Sequence, residues 1–275
     1  MKLINDLCWW LGRCASMLRR VDGKYMLAQE RRLQARLNTL LKVQMKYCVE
    51  ILTDLPSLRE AGIQKNSASD NNYLDEKLRS LPAVGRIAET IVAIAKPTLN
   101  KGGQKSVKEL ELGKFGISFS LKHPDAVDYL NTKQRLLLSD YKGTITYTTK
   151  NNIKRIVTKG LEEGKAYTEL AKDIKMQGEA GVFSRARAEL IASHELGEAY
   201  NAGQKIPVDE LIGKYPGIKV EKIWLTVGDD AVTPECEANG DEGWIDYNSD
   251  FSSGDPYPPR TDHPRCRCSW SQRIE

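Results

Sequence analysis

"DHPRCRC", residues 262–268, stands seven residues before the last residue of the chain. A histidine, a proline and two cysteines within so short a run read in one of two ways. They are ligands for a metal, or they form a proline-directed turn whose His and Cys pack locally. Cys236 lies upstream in the same polar, Gly- and Pro-rich segment. Cys236, His263, Cys266 and Cys268 together offer three thiolates and one imidazole, enough for a closed tetrahedral structural zinc. Metal binding would supply folding free energy to a tail with few apolar residues. The spacing differs from that of a zinc finger, because Thr233 and Asn239 occupy the places three residues before and after Cys236. A disulfide from Cys236 to a tail cysteine would require an oxidising compartment.

Outward from this tail, charge is unevenly distributed. Residues 1–50 carry ten Lys/Arg against four Asp/Glu, whereas residues 225–275 carry eleven acids against four Arg. A basic head and an acidic tail suit a chain that meets two kinds of partner, although solvated faces of ordinary domains have the same composition. Residues 27–55 read as one long helix with Leu33, Leu37, Leu40 and Leu41 at helical spacing, and Pro56 as its stop. The preceding piece, with Trp9, Trp10, Leu11, Met17 and Leu18, is amphipathic as well. Arg13, Arg19, Arg20, Arg31, Arg32, Arg36, Lys42 and Lys46 are the candidate contacts to a partner protein or to DNA. No apolar run is long enough for a membrane span, and no signal peptide is read, so the expected compartment is cytoplasmic.

Residues 62–72 are the linker candidate. A helix is expected at 82–96, closed by Pro97, followed by a loop-like stretch and a short strand at 117–121. Helices follow over "TTKNNIKRIVTKGLEEG", with Gly164 as a C-terminal stop, over "KAYTELAKDIKMQ" and over "SRARAELIASHELGEAYNAGQK". Residues 218–227 read as a strand and the acidic remainder as an irregular tail. This divides the chain into an arm (1–61), a linker with a helix (62–114) and a C-terminal domain (115–275). The fold class is α+β and predominantly helical.

Several chemistries lack their residues. His194-Glu195 is not a zincin motif, because Glu198 stands where the second histidine belongs. There is no dinucleotide fingerprint, phosphate loop or Gly-x-Ser-x-Gly elbow. The acid pairs Asp229-Asp230 and Asp241-Glu242 offer oxygen ligands for a divalent cation, but adjacent acids in a polar turn are commonly just solvated.

The helix "RARAELIASHELGEAYNAGQ", the strand "KIWLTVGDDAVTPEC" and the terminal "HPRCRC", in this order, resemble the phage Mu F-like minor head proteins, also described as phage head morphogenesis proteins. The matching positions are Trp224, Asp229, Asp230, Cys236, His263, Pro264, Cys266, Arg267 and Cys268. "FSLKHPDAVDYLNTKQ" and "GLEEGKAYTELAKDI" extend the likeness over about residues 115–270. Two departures stand out: Thr233 replaces the first cysteine of the family's usual pair, and "ASHE" replaces its Ala-Arg-Thr-Glu. The resemblance implies a minor capsid protein in the virion, assembled in the bacterial host's cytoplasm. Its implied partners are portal, major capsid or scaffold protein, together with phage DNA during packaging or ejection. It implies no catalytic step. The rival class is a toxin-like effector, either an ADP-ribosyltransferase or a nuclease. Its acidic motifs are present at 109–111 and 235–237, but the Ser-Thr-Ser strand is missing. A general DNA-binding protein is the third class.

Overall fold

The computed structural model describes residues 2–55, 68–140, 144–228, 232–260, 263 and 266–275, with side chains from residue 23 onward except at residues 54, 68, 69 and 179. The architecture is α+β and mostly helical. In chain order the elements are α1 (Lys2–Glu50), α2 (Ala68–Arg79), α3 (Val84–Glu109), α4 (Pro124–Leu138), α5 (Ile145–Glu162), α6 (Tyr167–Ala180) and α7 (Arg185–Lys214). There follow β1 (Val220–Leu225), α8 (Pro234–Asp241), β2 (Ile245–Asp246) and β3 (Ser269–Ile274). The sheet is antiparallel throughout, with strand order β2-β1-β3.

The chain divides into two units. One consists of residues 1–32, 93–130 and 190–275, and the other of 33–92 and 131–189. In the second unit Leu33, Leu37 and Leu41 of α1 are fully buried, as are Leu74 of α2 and Ile153 and Val157 of α5. Tyr47 and Tyr73 donate to the carbonyls of Lys77 and Ile51, both at 2.8 Å, and so fasten the end of α1 and the turn that follows it to α2. Helix α5 starts on Thr144, whose hydroxyl accepts from the Tyr147 N–H. It stops as expected, with Gly164 at φ 74° and the Lys165 N–H bonded to the Gly160 carbonyl. That reversed bond satisfies a terminal carbonyl, and glycine takes the left-handed backbone without strain.

In the first unit α3 and α7 touch backbone to backbone. A Cβ on Gly102 would lie 2.0 Å from the Tyr200 carbonyl oxygen, and one on Gly203 would lie 2.1 Å from that of Leu99. Only glycine permits so close an approach. In the same unit Leu112, Ile117, Val208, Leu211, Val220, Tyr247 and Trp270 form a core that includes strand residues Val220 and Trp270.

Five expectations need correction. Helix α1 begins at residue 2 rather than 27, and its first turns are continuous with the rest. Helix α3 does not stop at Pro97 but runs on to Glu109. The proline forfeits one backbone bond, and the Thr98 hydroxyl binds the neighbouring Ile94 carbonyl at 3.1 Å. Part of the proposed linker is helical, since α2 starts at Ala68; residues 62–67 lie outside the described residues. Residues 117–121 are not a strand. Ile117 and Phe119 are buried in alternation with exposed neighbours, but they pack on helices and have no ladder partner: Phe119 fills the space a side chain at Gly103 would need. The tail is also more ordered than composition suggests, since it holds α8, β2 and β3.

Candidate metal centre

The tail site is built from three short pieces of chain. The first is α8. Thr233 caps it, accepting from the Cys236 N–H at 3.4 Å, and Pro234 takes the first helical position, where its missing N–H costs nothing. This turn places Cys236, which is fully buried, at the helix N-terminus. Thr233, standing where the family pattern has a cysteine, therefore serves as a helix cap.

The second piece is the turn of His-Pro-x-Cys. The Cys266 N–H donates to the His263 carbonyl at 2.8 Å, closing a four-residue turn. That bond explains the spacing, because it brings positions i and i+3 of the motif back to one side. The third piece is the run into β3. Cys266 and Cys268 are buried on either side of exposed Arg267, and the alternation continues through buried Trp270 and Gln272. In extended chain, residues two apart share a face. Both thiols therefore turn inward, against Trp224 and Phe251.

The ligand atoms of Cys236, His263 and Cys266 lie within 4.8 Å of one another. The Cys236 sulfur is 4.0 Å from that of Cys266 and 3.7 Å from His263 Nδ1. A tetrahedral ion with bonds of about 2.3 Å to sulfur and about 2.0 Å to nitrogen requires separations of roughly 3.8 and 3.5 Å. The cluster can thus hold a metal with little movement. Cys268 lies alongside and hydrogen-bonds Cys266. That bond from Cys268 is the main reason the Cys266 thiol drops to about 5. Cys268, as the donor, is pushed upward, and burial raises Cys236. Hydrogen bonds from Cys268 and nearby backbone N–H groups thus favour the thiolate of Cys266, the form in which a cysteine binds a metal.

The surroundings hold this geometry. Trp224 of β1 is 1% exposed and meets Phe251 edge-on at 5.2 Å. Directly across the strand pair stands Trp270. Asn239, fully buried on α8, donates to Ser253 Oγ at 2.8 Å and accepts from the Ser253 N–H at 3.1 Å. Arg260 pairs with Glu235 at 3.2 Å and with Asp255 at 3.4 Å. Lys222 is 2% exposed, donates to the Pro256 carbonyl at 2.7 Å and lies 5.1 Å from the Phe251 ring centroid. Burial depresses its pKa. Asn239, Arg260 and Lys222 were not singled out in the sequence. Only the Thr233-Pro234 pair, a recognisable helix start, was a local signal for this wall of the site.

Asp229, Asp230 and Pro264 lie outside the described residues, as do the side chains of Arg13, Arg19 and Arg20. Arg31, Arg32, Arg36, Lys42 and Lys46 are exposed on α1. Lys46 forms an ion pair with Glu50 at 3.6 Å, both largely in solvent, a contact worth little. Among the described residues no helix is long and apolar enough to cross a membrane.

Residues 151–271 match the family model described as Phage Mu protein F like protein. The match takes in most of α5, all of α6 to α8, β1 and β2, the Cys/His cluster and the start of β3, so this region is similar to phage head morphogenesis proteins of that family. No characterised protein and no solved structure matches the chain significantly.

Proposed function

We propose that this chain, whose residues 151–271 belong to the Mu F-like family, is a minor capsid protein that binds portal, coat or scaffold during head assembly. It works from the capsid interior near the portal, after assembly in the host cytoplasm, and acts on phage DNA during packaging or ejection. The observation that carries the reading is the joining of separated family-motif residues, buried Cys236 and Cys266 and half-buried His263, into one cluster beside Trp224. In this reading the ion is zinc, with Cys268 as fourth ligand, because thiolate and imidazole donors in a closed tetrahedral set favour it. Its role is structural, tying α8 to the strand β3.

The exposed cations of α1 supply the contacts to a partner or to DNA phosphates, which would weaken with added salt. The reading needs no catalytic step. Co-purification of the full chain with the portal, coat and scaffold proteins of the same phage tests it. Stoichiometric retention on one of them, lost or weakened when Arg31, Arg32 and Arg36 become alanine, is the expected result. No retention on any of the three, or metal-dependent cleavage of DNA by the purified chain, would overturn it.

A further inference from the structure

Trp224 of β1 and Trp270 of β3 are each 1% exposed. Both bury an indole N–H that makes no hydrogen bond among the described residues. A buried donor left unpaired is costly, so each needs a physical reason. The two differ in their surroundings. Trp270 stacks on Tyr247 and Tyr257, with ring centroids 6.0 and 5.0 Å away, and belongs to the core of Leu112, Val208 and Leu211. Trp224 belongs instead to the cluster that holds Cys236, Cys266 and Cys268.

The strand register brings Trp224 to Cys268. Trp224 pairs with Trp270 across β1 and β3, and Cys268, two residues before Trp270, is buried on the same face. A position two places from the direct pair is within reach of an aromatic side chain. The Cys268 sulfur is the acceptor that the indole N–H faces. The other two sulfurs have donors of their own: the Thr233 hydroxyl for Cys236, and the backbone N–H groups of Arg260 and Cys268 for Cys266. As a thiol, Cys268 spends its one proton on Cys266 and offers the indole a weak acceptor. As a thiolate it would be a strong one.

We propose that Trp224 is the positioning residue of the metal centre, its indole N–H donating to the sulfur of Cys268 when that sulfur binds the ion. The inference rests on the reading of the Cys/His cluster as a metal site, and it deepens that reading by giving the fourth ligand its outer hydrogen bond. On binding, Cys268 releases its proton to water and a metal–sulfur bond forms. Three thiolates and a neutral imidazole around a divalent ion leave one net negative charge, which in a buried site calls for hydrogen bonds to sulfur. With Trp224 in place every sulfur has such a donor. The bond also draws charge from the sulfur, which keeps the bound thiolate from being protonated off the metal, as suits a structural staple.

The full chain, freed of metal, is titrated with cobalt(II) in competition with a chelator, as wild type, Trp224→Phe and Trp270→Phe. Both variants shrink a buried indole to a phenyl ring, but only the first removes the donor at Cys268. Trp224→Phe should hold cobalt about 10–100-fold less tightly than wild type. Its thiolate-to-cobalt charge-transfer absorption should move to longer wavelength, because a sulfur without its hydrogen bond gives up charge more readily. Trp270→Phe should match wild type in both respects. Wild-type affinity and spectrum in Trp224→Phe, or equal weakening in both variants with no spectral shift, would overturn the proposal. A wild-type chain that binds no cobalt would instead overturn the metal reading beneath it. A second readout leaves Trp224 unaltered. After loading with a magnetically active cadmium isotope, NMR should show the metal nucleus coupled to one indole N–H proton, in wild type and in Trp270→Phe alike. Cadmium-loaded wild type without that coupling would also overturn the proposal.

Discussion

Replacing Gly203 by alanine should destabilise the chain, although the same change at Gly197, earlier on the same helix, should stabilise it. Both glycines lie inside α7. At Gly197 a new Cβ meets nothing within 4 Å, so only the gain in helix propensity acts, about 1 kcal/mol. At Gly203 the Cβ would lie 2.1 Å from the Leu99 carbonyl oxygen and 3.0 Å from the Gly103 nitrogen. Both neighbours are backbone and cannot swing aside, so α3 and α7 must part by on the order of 1 Å, a gap that forfeits much of each affected contact. Leu99, Ala199 and Ala202, at most 4% exposed, lose their packing. Such overpacking costs up to about 3 kcal/mol, which leaves a net loss of about 2 kcal/mol after the propensity gain. The two variants should then melt about 6–12 °C apart. Thermal unfolding followed by circular dichroism reads this directly. A Gly203→Ala variant as stable as wild type would refute the backbone contact between these helices.

Two further substitutions probe separate parts of the account. Burial pushes the Cys48 thiol up to about 12 from its ordinary 9. Between those values the folded chain keeps a proton that the unfolded chain releases, so stability falls as pH rises. Urea unfolding at about pH 8 and pH 10 should therefore show a loss of roughly 1 kcal/mol that is absent in Cys48→Ala; equal pH dependence in the two proteins would contradict it. Thr233→Ala removes the cap of α8 and should cost about 1 kcal/mol. It should also weaken metal retention in a competition with a chelator, whereas Thr233→Ser should behave as wild type.

Much of the fold could be read because its signals are local. Helices α5, α6 and α7 follow from apolar periodicity and from the stop at Gly164, and β1 from its β-branched and aromatic run. What misled the reading was tertiary. Pro97 ordinarily closes a helix, but α3 packs so closely on α7 at Gly102 and Gly203 that it continues past the proline. The alternation at 117–119 came from burial against helices, and without a partner strand it makes no sheet. Strand β3 was missed because its sequence, SWSQRI, gains its order from pairing with β1 more than forty residues away. The candidate ligands could be read from residue type, yet their convergence could not. It depends on the cap at Thr233, on the turn closed between Cys266 and His263, and on the packing of Trp224 against Phe251. Lys222 was invisible as a buried group because a lysine in a strand ordinarily faces solvent.

The most direct test of the account is the metal content of the full chain, purified without chelator and measured by elemental analysis beside a His263→Ala/Cys266→Ser variant. The account predicts about one zinc per wild-type chain, as a closed four-ligand site holds, and essentially none in the variant. Wild-type protein that carries no metal, and takes up none when zinc is added, would contradict the claim that Cys236, His263 and Cys266 are a metal staple.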